Sequence, residues 1–248
     1  MKTMNYGLVL TVAVASLLTG GCATPPPIPK ASPTAKALMP EPRDKGWLTR
    51  HEKFNQQALE GGFDVLFVGD SITQGWEGAG KAVWAKDIAP LKAANFGISG
   101  DRTEHVLWRF ENGNLKGKLN PKVMVLMLGT NNTGHRKDKP EEIAAGVGAI
   151  LKTFHARFPD TKILLLGIFP RGGNSTDAAR VNNDAANKIL ATFNGCWNIQ
   201  YLDIGQKFLE PDGTLSTEIM PDRLHLSPKG YQIWADAVVP EIKAALSK

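Results

Sequence analysis

Ser71 lies just past an apolar run, in "FVGDSITQGW" (Phe67–Trp76), with Asp70 beside it and Gly69 before that. A hydroxyl there is idle on a surface loop but indispensable as a nucleophile. A neutral serine is weak at pH 7, so it needs a base within hydrogen-bond reach and a group that orients the base. The stretch "MPDRLHLSPKGY" offers both. His225 carries an imidazole suited to proton transfer near neutrality, and Asp222, three residues earlier, can fix its tautomer and stabilise the imidazolium. The tetrahedral oxyanion of an acyl transfer also needs donors. The backbone N–H groups of Ser71 and of Gly100, in "GISGDR", and the side-chain amide of Asn131, in "GTNNTG", are candidates. A glycine suits that role because its backbone can approach a substrate closely. Ile72, Thr130 and Leu224 adjoin Ser71, Asn131 and His225, and if they turn inward they crowd the acyl end to about the size of acetyl. Trp76 is a candidate for stacking on a sugar.

Each of these signals has a plainer reading when taken alone. Gly-Asp-Ser after a strand is common helix-cap chemistry, and "GTNN" is common turn chemistry. His51, His105, His135 and His155 have no partner pattern and read as surface or core residues. The sequence has no HExxH, CxxC pair or Walker loop, so neither a metal nor a cofactor is expected. "GVGAIL" at 146–151 follows no strand and reads as helix interior. "GDSIT" is not the GxSxG elbow of the α/β-hydrolases.

The elements that must hold these residues alternate along the chain. Short apolar runs occur at 64–69, 93–97, 122–129, 162–169 and 198–204, separated by helix-like stretches. Such runs indicate parallel strands buried on both faces. Five units predict one three-layer α/β/α sandwich with a five-stranded parallel sheet, flavodoxin-like, over residues 46–248. Ligands of open α/β sheets bind at the carboxyl ends of the strands. Ser71, Gly100, Asn131, Asp222 and His225 all fall past such ends.

Of the formal net charge of +5, residues 1–45 carry +3, from five cations against two acids. The remainder is nearly neutral and has no basic run interleaved with aromatics, so nucleic-acid binding is not expected. "MKTMNYGLVLTVAVASLLTGGC" has a lysine, an apolar core and small residues before Cys22. That layout predicts an export signal over residues 1–21. The small residues before the cysteine resemble a bacterial lipoprotein signal, which implies lipidation at Cys22, an anchor at the cell envelope and no other membrane contact. An ordinary cleaved signal, with a periplasmic or secreted product, is the alternative. Residues 22–45, with seven prolines from Ala23 on, are expected to be a tether, because they lack apolar periodicity and proline stiffens them. Cys196 is left without a partner for an intramolecular disulfide.

The blocks "VGDSIT", "NFGISGDRTEHVLWRFENG", "LMLGTNN" and "DRLHLSPKGY" resemble, in order, those of the SGNH hydrolases, or GDSL esterases. The likeness runs over roughly residues 63–240. Within that family it is greatest to the catalytic subunits of intracellular platelet-activating factor acetylhydrolase and their bacterial relatives. The resemblance implies the same five roles: nucleophile Ser71, oxyanion donors Gly100 and Asn131, and the Asp222–His225 pair. Ile72 stands where the family's name has leucine. An exported chain implies a substrate different from that of an intracellular enzyme. The expectation is a serine ester hydrolase acting through an acyl-serine, releasing acetyl from an O-acetylated polysaccharide. A lysophospholipase or thioesterase, or a non-catalytic glycan-binding domain on this fold, are the alternatives. The loops are short and polar, as in "GHRKDKP" at 134–140, and no long apolar insertion offers a lid or a lipid groove.

Overall fold

A computed structural model describes residues 24–247. Its regular elements are α1 (Lys45–Glu60), β1 (Val65–Gly69), β2 (Ala93–Gly97), α2 (Thr103–Arg109), β3 (Val123–Met127), α3 (Pro140–Arg157), β4 (Lys162–Leu166), α4 (Ala178–Leu190), β5 (Ile199–Leu202) and α5 (Pro228–Leu246). All five strands are parallel, in the order β2-β1-β3-β4-β5. The chain moves outward from β1 to β2, then crosses back to β3 on the other side of β1. That reversal makes the carboxyl end of β1 the natural crevice of the sheet.

The central strands β1 and β3 are buried throughout and have no polar face, because both faces are covered. Leu66 and Val68 of β1 point into a core shared with Trp47 and Phe54 of α1, with α2, and with Ile150 and Phe154 of α3. Val65 and Phe67 point the other way, to Trp76 and to Tyr231, Trp234 and Val238 of α5. Alternation of period two thus sorts residues between two apolar layers, and the strand reads as continuously hydrophobic. At a typical 1.5–3 kcal/mol for burying each large apolar side chain, these layers dominate the drive to fold.

Residues 24–44 correct one expectation, for a free tether would make few contacts with the body. Pro26, Ala35 and Ala37 are buried, and Ile28 packs against the α1–α3 core. Thr103 Oγ1 donates to Ala37 O at 2.8 Å. Proline makes the segment stiff, so little entropy remains to be lost when it lies down on the domain. Residues 1–21 and Cys22 fall outside the described residues. Among the described residues no helix is long and apolar enough to cross a membrane.

Candidate active site

The chain turns at once after β1. Ser71 begins a one-turn helix, Ser71–Gln74, whose cap is Asp70: its Oδ1 accepts from Ile72 N at 3.0 Å. The turn sits directly on the sheet's end because Gly69 and Gly97 have no side chains. A Cβ at Gly69 would collide with Thr73 Oγ1, and one at Gly97 with Gln74 N. Burial pushes the Asp70 carboxyl up to about 7; the Ile72 N–H opposes that rise and the Asp101 charge adds to it. From the far side Tyr231 Oη, on α5, donates to Ile72 O at 2.6 Å. The helix that follows His225 is therefore bonded to the turn that carries Ser71.

Ser71 Oγ lies 2.9 Å from His225 Nε2, and His225 Nδ1 lies 2.6 Å from Asp222 Oδ2. The other carboxylate oxygen of Asp222 accepts from His225 N at 2.7 Å and Leu224 N at 3.1 Å. Partial burial pushes the Asp222 carboxyl up, but the hydrogen bonds from the ring and backbone of His225 outweigh it and hold the group below its ordinary value. An ionised carboxylate only accepts, so Nδ1 bears the proton and the Nε2 lone pair faces the serine hydroxyl. The loop is braced by Arg223, which takes a left-handed φ of 60° and donates to Leu215 O at 3.1 Å.

Because β2 and β3 flank β1, the loops after them stand on either side of Ser71. Gly100, with φ +78°, takes a conformation that favours glycine. Asn131 is buried, and its Nδ2 donates to Asp101 O at 3.0 Å. That uses one of its two N–H groups and leaves the second for a ligand. Asn132 beside it stitches the scaffold instead, donating to Asp138 Oδ2 at 2.9 Å and Thr103 Oγ1 at 3.0 Å. Asp101 is the shared anchor of both oxyanion candidates. Its buried side chain receives Trp47 Nε1 at 2.6 Å and pairs with Arg109 Nη2 at 3.0 Å. Burial pushes this carboxyl up, against the pull of Arg109, Trp47 and Arg43. Asp101 stands in the motif "GISGDR", but Trp47, Arg43 and Asn131 reach it from distant segments, so its role is not legible in the sequence.

Of the four neighbouring residues expected to line the site, three are fully buried. Ile72 and Trp76 are each 1 % exposed and belong to the α5-side core. Trp76 packs against Tyr231, Trp234 and Trp84 at ring distances of 4.6–5.8 Å, so it offers no face to a sugar. Thr130 is as buried as these two, and its Oγ1 accepts from Arg171 Nη1 at 3.1 Å. Leu224 alone keeps part of its surface, beside the same core. Ile72 and Thr130 therefore do not crowd an acyl group.

Glu41, Glu104 and His105 lie close enough to hold a metal ion, yet the set does not fit one. Glu104 is already taken by Arg102 at 2.5 Å and Arg136 at 2.6 Å. His105 Nδ1 accepts from Arg102 N at 3.0 Å, so its lone pair is already engaged, and in the neutral ring Nε2 then carries the proton.

The model of the GDSL-like Lipase/Acylhydrolase family matches residues 67–233. The rat platelet-activating factor acetylhydrolase IB subunit alpha2 is 37 % identical over 215 residues, 86 % of this chain and 88 % of that protein. Among solved structures, a GDSL-like lipase of Bacteroides thetaiotaomicron superposes with a TM-score of 0.60 at 19 % identity, covering 79 % of this chain and 98 % of its own. An acetylxylan esterase of Geobacillus stearothermophilus does so at 0.58 and 22 %, covering 73 % and 94 %. At such identities the two structures establish the shared α/β fold.

Proposed function

Since the chain belongs to the GDSL-like lipase/acylhydrolase family and is a carboxylic ester hydrolase, we propose that it releases acetyl groups from an O-acetylated polysaccharide through an acyl-serine at Ser71. The observation that carries this reading is the Ser71–His225–Asp222 chain of hydrogen bonds on an open surface, with the His225 and Asp222 side chains 45 % and 56 % exposed. His225 Nε2 takes the Ser71 proton as Oγ bonds to the ester carbon, and the carbonyl electron pair moves to oxygen. The Ser71 and Gly100 N–H groups and the free N–H of Asn131 receive that oxyanion. The imidazolium then protonates the departing alkoxide, which leaves as a sugar hydroxyl. Water, deprotonated by the same nitrogen, frees acetate and restores the serine. Only the neutral imidazole can begin this sequence, so acidification should slow turnover.

The relatives named acetylhydrolases support acetyl as the group removed. A polymer suits an open site, and a long acyl chain would need apolar surface to lie on. Exposed large apolar side chains among the described residues are scattered, at Met39, Leu48, Leu59 and Val181, and none adjoins the site residues in sequence. The second reading, an acetylated lipid, draws on the name of the same relatives. Nitrophenyl esters of increasing length test the acyl part, and acetylated xylan, acetylated peptidoglycan fragments and a lysophospholipid test the rest. Activity should fall steeply beyond propionate and favour an acetylated glycan. A maximum at octanoate would reject the proposal. Ser71→Ala should fold normally and turn over nothing, and a fluorophosphonate should label Ser71 alone. We further propose that the chain is exported and held at the cell envelope by lipid on Cys22.

A further inference from the structure

Arg43 belongs to the proline-rich segment, outside every motif, yet its guanidinium ends at the oxyanion loop. Nη1 donates to Ser99 O at 2.7 Å and approaches Asp101 Oδ1 at 3.4 Å. The same group covers Gly100 so closely that a Cβ there would lie 3.0–3.3 Å from Nη1, Nη2 and Cζ. The Ser99 carbonyl and the Gly100 N–H are two ends of a single planar, trans peptide unit, so they point in opposite directions. Fixing one fixes the other. A glycine at φ +78° has more rotational freedom than any other residue, so the plane needs an external hold. A cation on the carbonyl oxygen also draws electron density from the amide, which makes its N–H a stronger donor.

The arm that delivers Arg43 is itself fixed. Ile28 fills the space over Gly148, where a Cβ would come within 2.7 Å of it. Ala37 O lies over Gly146, at 2.8 Å from a Cβ built there, and accepts from Thr103. Glu41 lies 3.6 Å from Arg102. Two glycines inside one helix weaken it relative to alanine, and the docked segment occupies the room they leave.

We propose that Arg43 is a positioning residue for ester hydrolysis, holding and polarising the Ser99–Gly100 peptide so that its N–H meets the oxyanion. The proposal rests on Gly100 acting as an oxyanion donor in the mechanism above. Arg43→Ala in the full chain should lower kcat about tenfold, less than the 10²–10³ loss of a whole donor, with KM and thermal midpoint little changed. Arg43→Lys, which keeps a cation for Ser99 O, should recover most of that loss. Arg43→Gln, a neutral donor, should fall between them, and methylguanidinium in the buffer should partly restore Arg43→Ala. Rates are to be normalised to active sites titrated with a fluorophosphonate, so that misfolded protein is not counted. Unchanged kcat in Arg43→Ala overturns the proposal, as does an effect confined to KM or one that vanishes on normalisation. If Ser71→Ala remains active, the underlying mechanism fails as well, so the two failures are distinguishable.

Discussion

Asn131 and Asp70 show how much hangs on single polar atoms. Asn131 divides its amide between Asp101 O and the open site, so Asn131→Ala removes one oxyanion donor and one brace. The expected loss is roughly 10²–10³ in kcat with a small change in KM, read from steady-state kinetics on nitrophenyl acetate. Asp70 bears on stability. Its carboxyl is raised from 3.8 to about 7, so between these values the folded chain keeps a proton that the unfolded chain has lost. Stability should therefore fall as pH rises through that window and stay lower above it. Asn also caps well and does not titrate. The melting temperature of Asp70→Asn relative to wild type should thus rise across the window and then level off, and a constant difference would contradict the raised value. The serine, histidine and acid that the structure brings together are legible in the sequence because their chemistry is specific; Ser71 lies just past β1, whereas Asp222 and His225 lie well beyond the end of β5. The directions of Ile72 and Trp76 were not: four apart on a helical turn, they share one face, and that face meets the core.

At the scale of elements, the five strands follow from the apolar runs, each close to where the sequence places it, and helices occupy the stretches that separate them. The docked segment was illegible for a physical reason. It buries Pro26, Ala35 and Ala37 and half-buries Ile28, with no period, and glycines in α3 make room for Ile28 and Ala37. A glycine pair in a helix reads as a weakness until its partner is known. Gly146→Val should therefore do harm despite improving helix propensity, since its Cβ would meet Thr103 Oγ1 at 2.5 Å. A cost of about 1–3 kcal/mol is expected for overpacking, measured by denaturant unfolding, along with faster proteolysis within residues 24–44. A more stable variant would show that the segment is not held there.

For the molecule as a whole, the docked segment joins two functions that composition alone separates. The proposed lipid anchor predicts that Cys22→Ser moves the protein from the membrane fraction to the soluble one, as immunoblots of fractionated cells would show. A wild type already soluble would favour plain secretion. If the anchor is present, its leash is short. Pro26 is already buried, four residues after Cys22, and four extended residues span at most about 14 Å. A free tether from Cys22 to Lys45 would let the domain sweep a deep shell above the bilayer. A docked one confines it to a thin layer, where it meets only those esters that reach the membrane surface, and it collects them by lateral drift in two dimensions.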